Sequence, residues 1–89
     1  MQQNHIYLRN LDVDDLFILS SLLDHPKLNW IAKTLRLTPP AIAHRLRKYR
    51  EHIPEFELSQ KSNNSGYTLS EKTEQFCIKA RRALKTLER

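Results

Sequence analysis

Apolar residues recur along the chain at two different intervals, and the change from one to the other divides it. Between Leu11 and Leu23, the residues Val13, Leu16, Phe17, Leu19, Leu22 and Leu23 form a broad stripe of helical period, with Asp12, Asp14 and Asp15 at its start. Acidic groups there suit the positive end of a helix dipole. Pro26, in the stretch "HPK", is expected to end this helix, because proline disfavours helical geometry in the residue before it. Leu28, Ile31, Ala32 and Leu35 then recur at three- and four-residue intervals, which predicts a second helix of two to three turns.

A third helix is expected almost at once. Thr38 is suited to its N-cap and Pro39 to its first position, where a missing N–H costs nothing. Only residues 36–38 are left between the second and third helices, so the two must cross steeply in the manner of a helix-turn-helix. At about 100° per residue, Ile42, Leu46, Tyr49 and Ile53 fall within a sector of roughly 60° and are read as the core face. Pro40, His44, Arg47 and Lys48 occupy the opposite face.

Past "HIPEF" the period shortens to two. Phe56 and Leu58, then Tyr67 and Leu69, alternate on either side of the turn-rich "SNNSG", which predicts a β-hairpin with a loop of about five residues. Residues 70–89 read as a last helix, with a weakened capping box over "SEKT", Glu71 and Glu74 near its start, and Arg81, Arg82, Lys85 and Arg89 toward its end. Phe76, Cys77, Ala80, Ala83, Leu84 and Leu87 give it one apolar edge. The expected fold class is mainly α: a winged helix-turn-helix of three helices and a hairpin wing over residues 1–69, followed by a linker helix over 70–89.

Charge sharpens this outline. Fifteen Lys and Arg stand against ten Asp and Glu, a net charge of +5 with a pI near 9.7, which favours polyanionic partners without identifying one. Small or rigid groups at the start of the third helix and cations farther along suit a helix docked by its N-terminal end into a DNA major groove. A hairpin tip holding Lys61, Asn63, Asn64 and Ser65 suits contact with the adjacent backbone or minor groove. The competing interpretation is a solvated basic face and a polar turn, on a winged-helix module that binds a partner protein and no DNA.

With "IAKTLRLTPPAIAHRLRKY" and "YTLSEKTEQF" in view, nearly the whole chain resembles the N-terminal DNA-binding domain of LysR-type transcriptional regulators. Ile31 and Ala32 stand for that family's alanine pair, Leu35 for its leucine, Thr38 for its serine cap, and Pro39, Pro40 and Ala41 for its glutamine-proline-alanine. Ile42 and Leu46 stand at its core positions. The resemblance implies groove contacts from Thr38, Pro39, Pro40, Ala43 and His44 and a wing contact near Lys61. It departs from the family where Pro39 replaces a glutamine, Ala43 a hydroxyl residue and His44 an arginine, and where Lys72 and Thr73 stand in place of a glycine. Phosphate contacts are therefore expected from Arg45, Arg47, Lys48, Arg50 and Lys61. The resemblance also implies pairing of the last helix with that of a second subunit through Phe76, Ala80, Ala83, Leu84 and Leu87. Family members usually continue into a larger effector-sensing domain, so the chain is expected to be either a fragment or a short regulator without an inducer site.

Other chemistry finds little support. His5, His25, His44 and His52 make no i, i+3 or i, i+4 pair, so no metal site is expected. Gly66 is the only glycine, so there is no phosphate-binding loop; neither a cofactor nor an enzymatic activity is expected. Cys77, the only cysteine, reads as a packing residue, and Trp30 as a partly buried anchor between the first two helices. With no basic and apolar leader at the N-terminus and no run of about 18 apolar residues, a soluble cytoplasmic protein is expected, with double-stranded DNA and a second copy as its partners and no membrane.

Overall fold

A computed structural model describes residues 9–24, 27–54, 56–60 and 67–87. Its elements in chain order are α1 (Val13–Ser21), α2 (Leu28–Leu35), α3 (Pro39–His52), β1 (Leu58–Gln60), β2 (Tyr67–Leu69) and α4 (Glu71–Leu87). Over the described residues the chain is thus mainly helical with one small antiparallel sheet, paired Leu58 to Leu69, Ser59 to Thr68 and Gln60 to Tyr67. The expected wing tip, residues 61–66 with Lys61, lies outside the described residues, as do His5, His25, Pro26, Glu88 and Arg89.

Asp12 and Asp15 start α1 by capping each other. The Asp15 N–H donates to Asp12 Oδ1 at 2.8 Å and the Asp12 N–H donates to Asp15 Oδ2 at 3.0 Å, a reciprocal capping box built from two aspartates. Ile18, Leu19 and Leu22 form the buried face of this helix together with Asp15. Val13, expected in the apolar stripe, is 55 % exposed; it lies about 170° around the helix from that face. The stripe is rotated toward Ile18, which lies outside the expected set.

The α2–α3 connection is as short as expected. Arg36 closes α2 in the left-handed region at φ 59°, and the Leu37 N–H reaches back to the Ala32 carbonyl at 2.9 Å. This is the Schellman type of helix end, in which glycine is the usual occupant of the left-handed position. Thr38 then caps α3 as expected, its Oγ1 accepting from the Ala41 N–H at 3.3 Å, with Pro39 and Pro40 opening the first turn.

The core lies between α1, the inner face of α3 and the first half of α4. Ile42, Leu46, Tyr49 and Ile53, the expected inner face of α3, are all buried, and Ile31 and Ala32 join them from α2. Phe56 bridges toward the hairpin, edge-on to Tyr49 at 5.6 Å and to Phe76 at 6.5 Å between ring centroids.

Ser70 and Thr73 fasten the hairpin to α4. Ser70 Oγ accepts from the Thr73 N–H at 3.1 Å and donates to Thr73 Oγ1 at 2.8 Å, while Thr73 Oγ1 accepts from the Glu57 N–H at 2.6 Å. The weakened capping box is therefore also a tie across the base of the strands. α4 packs along α1 and buries Thr73, Cys77 and Ala80.

Candidate nucleic-acid interface

The outer face of α3 follows from its inner one. With Ile42, Leu46 and Tyr49 fixed inward, the helical period turns Pro40, His44, Arg47 and Lys48 to solvent, and all four are exposed, as are Thr38 and Pro39. Ala43 is half-buried at the edge of this surface. Arg47 and Lys48 make no ion pair with any described carboxylate. Lys33 and Arg36, at the end of α2, add further exposed cations around the α2–α3 corner, while Arg50 is exposed in the last turn of α3. Glu51, exposed one turn beyond Arg47, falls on the same face and interrupts it. On the outer face of α3 the cationic surface thus runs from the turn before the helix to Lys48.

Arg45, expected among the phosphate-contacting cations, is directed elsewhere. Its helical position turns it toward α1, where Nη1 meets Asp15 Oδ1 at 2.9 Å and Asp12 Oδ1 at 3.2 Å. The Tyr49 hydroxyl donates to the same Asp15 oxygen. The buried Asp15 carboxylate thus accepts from Arg45, Tyr49 and the Asp12 N–H, which satisfies an ion that would otherwise be costly to hide. Partial burial disfavours the charged form of Asp12. The Asp15 N–H and the Arg45 guanidinium outweigh that, and its carboxyl is held below the ordinary aspartate value. Arg45 itself loses some solvation but is held above its already high value by the two carboxylates.

This network fixes the roll of α3 against α1, and apolar periodicity does not reveal it. Two signals in the sequence do point toward it: Asp12 and Asp15 have the spacing of a capping box, and a tyrosine on a core face needs a partner for its hydroxyl.

The apolar edge expected for α4 divides in two. Phe76 is half-buried against Phe56, and Cys77 and Ala80 are buried against the domain. These residues are used within the chain's own core. Arg81 locks the helix at this point: Nε donates to Ser20 Oγ and Nη2 to the Ser20 carbonyl, each at 2.9 Å, and its guanidinium pairs with Asp24. Of the expected pairing residues, Ala83 and Leu87 remain exposed and Leu84 half-buried. Trp30, read as an anchor between α1 and α2, does stack on Phe17, with ring centroids 6.1 Å apart, yet 41 % of it is exposed.

Burial pushes the Cys77 thiol up to about 12, against an opposing pull from Arg81. A thiol held there stays protonated near neutral pH, which suits packing and not nucleophilic chemistry. Among the described residues no group of three or more His, Cys, Asp or Glu side chains is placed to hold a metal ion, and no helix is long and apolar enough to cross a membrane. No protein-family model matches the chain, and neither any curated protein nor any solved structure is significantly similar to it.

Proposed function

We propose that the chain is a winged helix-turn-helix module of the kind used by LysR-type regulators, which binds specific double-stranded DNA as a cytoplasmic transcriptional regulator. α3 is its recognition helix and the β1–β2 hairpin its wing. One observation carries this reading: the outer face of α3 presents a small, rigid first turn followed by exposed cations with no ion-pair partner among the described residues, while its inner face is anchored in the core. Thr38, Pro39, Pro40 and Ala43 let the backbone approach base edges, and His44, Arg47 and Lys48 reach base or phosphate oxygens. Arg36, Arg50 and Lys61 extend the phosphate contacts, and Arg45 acts from behind by holding the helix in place.

Pro39 and Ala43 stand where the resemblance has side chains that hydrogen-bond to bases, and His44 where it has an arginine with more donors, so groove shape and thymine methyl groups carry more of the specificity. A dimer formed through the end of α4 would read two half-sites about one helical turn or more apart.

Selection of bound sequences from random duplex DNA tests the reading. Enrichment of a two-fold-related motif is expected. Retention of no duplex at low salt would sink the proposal and favour a protein-interaction module.

A further inference from the structure

The solvent side of α4 carries a second set of cations. At about 100° per residue, Lys72, Gln75, Lys79 and Arg82 fall within a sector of roughly 80°, on the side of the helix away from Thr73, Cys77 and Ala80. All four are exposed, and none of the three cations pairs with a described carboxylate. Glu71 and Glu74 stand in the first turn, and from Gln75 to Leu87 the helix has no acidic residue. No apolar side chain falls within the sector.

We infer that this stripe is a second duplex-binding face, which holds the phosphate backbone without reading sequence and takes a different stretch of DNA from the one on α3. The absence of an apolar anchor argues against the other polyanionic partners. A protein partner needs a desolvated aromatic or aliphatic centre, and a membrane surface needs an apolar face to bury. Phosphate oxygens need only cations and amide donors, which Lys72, Lys79, Arg82 and Gln75 supply over about 15 Å of helix, a length that spans several phosphates of a duplex.

That the stretch is a different one follows from α1. Asp15 receives Arg45 of α3, and Ser20 receives Arg81 of α4. Five residues apart on a helix, these two contacts point about 140° apart around its axis. α3 and α4 therefore sit on different sides of α1, and their outer faces look away from it in different directions. A straight duplex seated on α3 leaves the α4 stripe free for another. This joining of two duplexes rests on the α3 reading; the α4 contact itself does not.

Two duplexes test it, one immobilised and the other labelled and free. At low salt the natural chain should hold the labelled duplex on the immobilised one. Lys79→Gln with Arg82→Gln, both at exposed positions, should abolish this joining while the chain stays folded by circular dichroism and is still retained on a single duplex through α3. The same loss of charge by Arg9→Gln with Lys27→Gln, exposed and outside α4, should leave joining intact. In the chain with His44, Arg47 and Lys48 changed to alanine, the residual binding should be indifferent to sequence and should disappear when Lys79→Gln and Arg82→Gln are added.

Joining that survives Lys79→Gln with Arg82→Gln, as it would if a dimer held one duplex on each α3, would overturn the inference. So would joining lost as readily in the Arg9–Lys27 variant. Sequence-selective binding of one duplex with no joining would overturn it and leave the α3 reading intact. Duplex binding that is lost in the α4 variant and unchanged in the α3 variant would support it and remove the other.

Discussion

Asp15 is the residue on which the position of α3 turns. It is buried at the start of one helix and receives hydrogen bonds from Arg45 and Tyr49 of another, some thirty residues on. Tyr49→Phe should cost about 1–2 kcal/mol in chemical unfolding, because it removes a donor from a buried carboxylate without opening a cavity. Asp12 adds a pH dependence whose sign is fixed by its lowered pKa. The stabilisation it supplies is fully present above the unfolded aspartate value near pH 4 and is lost as pH falls through the lower folded value. Asp12→Asn keeps a good cap and removes the charge. It should be less stable at pH 7 by under about 1 kcal/mol, given the exposure of the pair, and the difference should close on acidification. Cys77 gives a third residue-level expectation: with its thiol buried and protonated, it should react with a thiol reagent only as fast as the domain opens, so raising denaturant should accelerate labelling and unfolding together.

At the scale of elements, the turn between α2 and α3 contains an avoidable strain. Arg36 occupies a left-handed conformation that costs a residue with a Cβ about 1–2 kcal/mol relative to glycine. Arg36→Gly should raise the unfolding midpoint, and any loss of DNA affinity in that variant would then report the missing cation and not a damaged turn.

The two faces of α3 were legible in the sequence, since the Thr38–Pro39 start and the spacing of Ile42, Leu46, Tyr49 and Ile53 fix both its origin and its rotation. The presence of a hairpin was legible for the same kind of local reason, but its register was not, and Phe56, read as part of its first strand, lies before β1 and packs on Tyr49 and Phe76 instead. Arg45 was not, because periodicity places a cation at the margin of a face while its partners are set by tertiary packing from α1. The edge of α4 was only half legible. A single helix shows which residues share a side, but not that the rest of the domain covers Phe76, Cys77 and Ala80 and leaves Ala83 and Leu87 exposed. Val13 shows the limit of a broad stripe, in which one misplaced residue rotates the inferred face away from Ile18.

At the scale of the whole molecule, a net charge of +5 decides little by itself; its placement decides more. Asp12 and Asp15 take up Arg45, and Asp24 takes up Arg81, leaving the exposed cations of the α2–α3 corner to face outward. Glu51 borders the cationic face of α3 one turn beyond Arg47 and opposes an approaching phosphate, so Glu51→Gln should tighten duplex binding severalfold with little change in stability. The same variant should leave binding to an uncharged partner unaltered.

The most direct measurement is the affinity for duplex DNA as a function of salt, in the natural chain and in a variant with His44, Arg47 and Lys48 all changed to alanine. The natural chain should bind at low salt and weaken steeply as salt rises. The variant should bind less tightly, and its logarithmic slope should be shallower by about 0.9 for each phosphate it no longer neutralises. Absence of duplex binding at low salt, or a variant that matches the natural chain in both affinity and slope, would contradict the assignment of α3 as the recognition helix.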